Sequence, residues 1–183
     1  SALQRAFKED VILPLPKLYG DVGLVTIDLP ENMKKVVLFP GATHFTKRYP
    51  VSEWKEVLRS SPSDYFYFLC GSTSEFHLCE ELHRASSSNT ENFASNLSFS
   101  SLLSLMMSAD CVVSGDTGPM HIAAALGKHQ IVLFGATHPR LGFAPMNPKA
   151  IVFSKDIPCQ PCSLHGGTSC PQGHFRCMLT IKP

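Results

Sequence analysis

The sequence predicts an α/β domain built on a parallel sheet with helices on both faces, and three observations carry that prediction. Short apolar runs of strand length alternate with segments of helical length and period. The runs are apolar throughout, not alternating, as strands are when both faces of their sheet are covered. They also end on glycine and a hydroxyl residue, as at Gly41-Ala42-Thr43, Gly71-Ser72-Thr73, Ser114-Gly115-Asp116-Thr117-Gly118 and Gly135-Ala136-Thr137. In a doubly wound sheet these ends share one edge, where backbone N–H groups and short polar side chains suit phosphate and ribose.

The elements follow in order. The proline-containing stretch Val11–Leu18 reads as a linker and Val22–Leu29 as a strand. Val36–Pro40 is a short buried strand, followed by the loop Gly41–Tyr49. Pro50 opens a helix to Arg59 with Trp54, Val57 and Leu58 on one side, because the fixed φ of proline suits a first turn. Tyr65–Cys70 is a strand, and Ser74–Ala85 a helix with Ser74 as N-cap. Ser86–Thr90 is polar and reads as a loop; Ser100–Ala109 is a helix and Cys111–Ser114 a core strand. The helix Thr117–Leu126 ends at Gly127, a residue suited to the left-handed stop. Gln130–Phe134 and Ile151–Phe153 are strands on either side of a long loop, Gly135–Pro148. Residues 158–177 show no clear periodicity, so the chain divides into a linker (1–21), a nucleotide-binding type of domain (22–157) and a cysteine-rich tail (158–183).

Bulk properties narrow the function. The 183 residues suffice for one domain with a real core, and a formal net charge of +1 argues against a nucleic-acid surface. No apolar run approaches the ~20 residues of a membrane span, and Ser1–Asp10 lacks the apolar centre of a signal peptide. The opening Ser-Ala-Leu does not read as a natural start, as if an N-terminal part had been removed or belonged to a longer chain. Of seven cysteines, Cys70, Cys79 and Cys111 lie in apolar segments and read as small core residues. The odd count and the spacing do not resemble a disulfide-stapled secreted domain, so a cytoplasmic location is expected.

The central motif is Ser114-Gly115-Asp116-Thr117-Gly118-Pro119-Met120-His121, which follows an apolar strand and opens a helix. Its glycines permit a tight turn and close approach by a ligand. Asp116 or Thr117 can cap the helix, Pro119 suits its first turn, and the unpaired N–H groups and helix dipole attract a diphosphate. Neither the dinucleotide pattern nor the P-loop pattern is present.

From Asp116 to Gly127, and on through Val132-Leu133-Phe134-Gly135-Ala136-Thr137-His138-Pro139, the chain resembles the lipopolysaccharide heptosyltransferases of glycosyltransferase family 9. Gly41-Ala42-Thr43, Lys47-Arg48-Tyr49-Pro50, Trp54 and the tail Cys159, Cys162, Cys170, Cys177 and Met178 match the same family in the same order. Tyr49 stands where tryptophan is usual, and Ala136 where proline is common.

The resemblance implies a Rossmann-like domain forming the C-terminal, donor-binding half of a GT-B enzyme. Such an enzyme transfers heptose from ADP-heptose to a lipopolysaccharide core acceptor. The catalytic base is expected on an N-terminal acceptor domain outside this chain, so this domain alone is expected to be inactive. The implied partners are the nucleotide-sugar, that N-terminal domain and a lipid-linked saccharide, at the inner face of the membrane.

Carried over, Thr43 and Lys47 contact the donor phosphates, with Lys47 stabilising charge on the leaving diphosphate or Arg48 taking its place. Thr117, Gly118 and His121 bind phosphate. Asp116 accepts from sugar hydroxyls, or is only an N-cap; Glu75 accepts from ribose, or only favours its helix. No cofactor is required if Lys47, His121 and the helix terminus balance the leaving charge. Cys159, Cys162, Cys170 and Cys177, with His165 and His174 nearby, can hold a structural zinc; paired disulfides or plain thiols are the other readings. The rival functions are another GT-B nucleotide-sugar enzyme, such as an epimerase, and a non-catalytic nucleotide- or zinc-binding module.

Overall fold

The computed structural model describes residues 15–18, 31–86 and 89–182, so the strand read at Val22–Leu29 lies outside the described residues. Six strands form one sheet in the order β3-β2-β1-β4-β5-β6. They are β1 (Lys34–Phe39), β2 (Tyr65–Leu69), β3 (Asn89–Asn92), β4 (Cys111–Gly115), β5 (His129–Leu133) and β6 (Ala150–Phe153), and every neighbouring pair is parallel. Helix α1 (Val51–Arg59) joins β1 to β2, and α2 (Phe76–Ala85) joins β2 to β3. The chain then returns through α3 (Phe99–Ser108) to β4, and α4 (Gly118–Ala125) carries it to β5.

Right-handed crossovers place α1 and α2 on one face and α3 and α4 on the other. The packing agrees. Trp54 and Leu58 of α1 and Cys79 and Leu82 of α2 bury against Val36, Leu38, Tyr67 and Leu69. Leu105 and Met106 of α3 and Ala123 of α4 bury against Val37, Phe39, Phe68 and Val112. Successive residues of β1 thus serve opposite faces, which explains why its run is apolar without alternation. Cys70 and Cys79 are buried, and burial pushes the Cys79 thiol up to about 12 and Cys70 higher still. Cys111, read as core, is only partly covered.

Three local readings change. The stretch around Thr90, read as a loop, contains strand β3, whose sequence Asn-Thr-Glu-Asn has no apolar signal. It is an edge strand fixed by its neighbours: it pairs with Phe66–Leu69, and Asn92 Nδ2 donates to Glu80 Oε2 at 3.1 Å. The second helix begins with a 3₁₀ turn, Thr73–Glu75, and its N-cap is Ser72, not Ser74. Glu75 accepts the Ser72 N–H at 2.7 Å, which completes a capping box.

The third change concerns the tail. It carries a short helix, α5 (Arg176–Leu179), and buries Cys177, Met178 and Ile181 in the α1–α2 side of the core. The Tyr49 hydroxyl donates to the Ile181 carbonyl at 2.8 Å, and burial, with Glu53 nearby, pushes it up to about 12. Gln160 Nε2 donates to three carbonyls of the loop after β5, those of Phe134, Gly135 and Thr137. The tail is therefore part of the domain's packing. Among the described residues no helix is long and apolar enough to cross a membrane.

Candidate functional site

Strand order reverses between β1 and β4, and the loops leaving those two strands meet there. Open α/β sheets bind their ligands in that crevice, outside the carboxyl ends of the strands. From β1 comes the loop ending in a 3₁₀ turn, Phe45–Lys47; from β4 comes the corner Gly115–Gly118 that opens α4.

The two segments are joined at a cation. Lys47 Nζ lies 2.9 Å from Asp116 Oδ2 and 3.0 Å from the Asp116 carbonyl oxygen, across 69 residues of sequence. Asp116 is 4% exposed, so its carboxylate depends on that ammonium. A Cβ on Gly115 would stand 3.0 Å from the Lys47 carbonyl oxygen, so glycine is what lets the two backbones approach. Of the two capping readings, the position falls to Thr117. Thr117 holds the N-cap position of α4 without a side-chain cap bond, and Asp116 is committed to Lys47.

The expectation of several unpaired amides at this helix mouth also narrows. The Thr117 N–H turns back to the Gly115 carbonyl at 2.9 Å, and the Met120 N–H donates to the Thr117 carbonyl at 3.1 Å. Pro119 has no N–H, so among the described residues the Gly118 amide is the donor left at the first turn. Beside that amide the corner offers the Lys47 ammonium, held in its ion pair with Asp116.

Two cavities flank the corner and share Thr117 and Gly118. The larger, about 360 Å³, is lined by Thr43, Arg48, Ser72, Glu75 and Pro119 among others. An apolar slot of about 270 Å³ continues from it, walled by Phe39, Cys70, Phe93, Leu97 and Leu102. The smaller, about 200 Å³, contains Lys47, Asp116 and His121. All seven residues expected to touch a ligand thus lie at this edge, divided between two chambers.

Arg48 lines the larger chamber beside Thr43. Its Nε donates to the Ala42 carbonyl at 2.7 Å and its Nη2 to that of Thr43 at 3.4 Å, bracing the loop after β1. The Glu75 carboxylate, besides capping Ser72, packs against Gly41, where a Cβ would collide with it. It lines the larger chamber from the helix side with one oxygen engaged at Ser72.

Sequence reasoning missed the contributors on the far wall. Phe143, from the loop after β5, and Leu164 and His165, from the tail, line the smaller chamber. No periodicity or motif announces them. The zinc reading of the tail is not assembled: among the described residues, no group of three or more His, Cys, Asp or Glu is placed to hold a metal ion. Cys159 Sγ lies 3.8 Å from His174 Nε2. Burial, then the neighbouring Cys162 and Cys170, push Cys177 up to about 11. Burial also raises Cys170, but the amides of Phe175, Gln172, His174 and Gly173 outweigh it and hold that thiol below the usual range.

Residues 20–169 match the model of glycosyltransferase family 9 (heptosyltransferase). The chain belongs to this family. It is 29% identical to lipopolysaccharide heptosyltransferase 1 of Pseudomonas aeruginosa, over 98% of this chain and 51% of that protein. It is 27% identical to lipooligosaccharide heptosyltransferase 2 of Campylobacter jejuni, over 84% of this chain and 49% of that protein. The family 9 chain thus spans about half the length of the curated relatives it matches.

Solved structures agree. The Escherichia coli ADP-heptose lipopolysaccharide heptosyltransferase II superposes with a TM-score of 0.70 at 22% identity, covering 85% of this chain and 44% of that one. The E. coli heptosyltransferase WaaC with ADP-2-deoxy-2-fluoro heptose gives 0.56 at 25% identity, covering 68% and 38%. The six-stranded α/β fold accordingly matches about half of these GT-B heptosyltransferase structures.

Proposed function

We propose that this chain is the donor-binding half of a heptosyltransferase and holds the diphosphate of an ADP-sugar at the β4–α4 corner. The observation that carries the reading is the placement of the Lys47 ammonium on the Asp116 backbone and carboxylate, at the reversal of strand order. A diphosphate there accepts from the Gly118 amide, the Thr117 hydroxyl and His121, with Thr43 on the β1 side, while Lys47 faces the charge that grows as the glycosidic bond breaks. The larger chamber and its apolar slot suit a nucleoside, with Glu75 near the ribose. The relatives' names supply the sugar and the acceptor class: heptose, passed to a lipopolysaccharide saccharide. The acceptor hydroxyl attacks the anomeric carbon, a base on a partner domain outside this chain takes its proton, and the nucleoside diphosphate leaves. The described thiols are unpaired, which suits work on the cytoplasmic side of a membrane.

Calorimetry on the 183-residue chain with ADP, UDP and GDP tests the reading. Preference for ADP, lost in Lys47→Met, is expected. Preference for UDP would move the protein to an epimerase-like class, and absence of nucleotide binding would make it a non-catalytic module. In the corresponding two-domain enzyme, Lys47, His121 and the helix terminus provide the counter-charge, so transfer is expected to survive a chelator.

A further inference from the structure

The smaller chamber is of mixed character. Its lining combines the Lys47–Asp116 pair and His121, which are charged or polar, with Phe143, Leu164 and His165, which bring rings and aliphatic surface. The Phe143 and His165 rings have centroids 6.3 Å apart at an interplanar angle of 51°.

The tail turn that delivers His165 is fixed. Ser163 Oγ accepts the Gly166 N–H at 2.9 Å and the His165 N–H at 3.3 Å, and donates to the Gly166 carbonyl at 3.1 Å. Gly166 has φ +94°, and a Cβ there would stand 2.9 Å from His44 Cβ and 3.2 Å from Lys47 Cγ. The turn therefore rests on the aliphatic stem of the lysine. Next in sequence, the Gly167 N–H donates to Thr46 Oγ1 at 2.8 Å and the Thr46 N–H to the Gly167 carbonyl at 3.1 Å. His165 is thus held in register with Lys47.

A monosaccharide ring is two-faced in the same sense. Its hydroxyls seek charged acceptors and donors, and its C–H faces seek rings and aliphatic surface. The chamber meets the larger one at Thr117 and Gly118, so a diphosphate on that threshold directs its nucleoside to one side and its sugar to the other. Resting on the donor reading above, which puts the donor's glycosyl group beside Asp116 in the smaller chamber, we propose that His165, supplied by the cysteine-rich tail, is a specificity-determining residue for that group. Asp116 then faces sugar hydroxyls while still engaged with Lys47, and Phe143 and Leu164 close the apolar side.

The experiment is calorimetric titration of the 183-residue chain with ADP, ADP-heptose and ADP-glucose, for the parent, His165→Ala and Phe143→Ala. Both side chains are at the surface, so the variants are expected to melt with the parent. The expected result is a roughly 5–10-fold loss of ADP-heptose affinity, unchanged ADP affinity, and a smaller ratio between ADP-heptose and ADP-glucose. Equal losses for ADP and ADP-heptose would mean that the turn only props up Lys47, and would overturn the subsite. So would a parent that binds ADP and ADP-heptose equally, with His165→Ala affecting neither; the diphosphate reading would survive that outcome. A parent that binds no nucleotide removes both.

Discussion

The ends of β2 and β4 are built from the same kinds of residue and do opposite things with them. Each leaves its strand on glycine, adds hydroxyl residues and carries one carboxylate. At β2, Glu75 turns back three residues to its own Ser72 and closes a capping box. At β4, Asp116 reaches Lys47, 69 residues away, and is almost fully buried. A local, solvent-edge acid serves the helix that carries it. A buried acid with a distant partner ties two loops together and sets the position of a cation.

The contrast is broken most severely at Lys47. Lys47→Met leaves a buried carboxylate without its partner, which is expected to cost about 3 kcal/mol and to lower Tm by roughly 6–12 °C. Adding Asp116→Asn should restore most of that in thermal melts. Simple additivity of the two substitutions would show that the pair is not a unit.

Next in size is Gly115→Ala, whose new Cβ meets the Lys47 backbone and is expected to cost about 1–3 kcal/mol. Gly118→Ala sharpens the point, because nothing lies within 4 Å of its Cβ. It should leave the melt unchanged and weaken ADP binding in calorimetry by obstructing the approach to the helix mouth.

At β2, Glu75→Ala removes a cap and the acceptor proposed to face the ribose. A loss of about 1 kcal/mol, or roughly 2–4 °C in Tm, is expected, with Lys47-dependent nucleotide binding retained in part. A fall as large as that of Lys47→Met would erase the distinction between the two ends. The smallest effect is on thiol chemistry. Cys170 is held below the usual thiol range and Cys162 above it, so Cys170 is expected to react before Cys162 with iodoacetamide as pH is raised, read by peptide mass spectrometry.

The sheet was largely legible because five of its strands announce themselves. Val36–Phe39, Tyr65–Leu69 and Cys111–Ser114 are apolar on both faces, as the clusters on either side of β1 require. Strand β3 was not legible, since Asn-Thr-Glu-Asn becomes a strand only through the edge it pairs with. The site was legible where it is made of turn chemistry: Gly115, Thr117, Gly118 and Pro119 are read from their conformational demands. That Lys47, and not Arg48, meets Asp116 was not, because the choice depends on which side chain the loop after β1 needs for its own carbonyls. Phe143 and His165 were hidden for a related reason. They share a wall only after the tail has folded back across the loop that follows β5.

The Thr46 carbonyl accepts the Ala136 N–H at 3.2 Å, and the Ala136 carbonyl in turn accepts those of Cys162 and Ser163. This clasp is made of peptide groups alone, and any residue but proline can supply the same N–H. The scaffold under the binding edge therefore tolerates exchange of the side chains it displays. Residues such as Phe143 and His165 can be swapped to retune ligand preference while the loops keep their places, which makes this edge a sensible starting point for redesigning what the domain accepts.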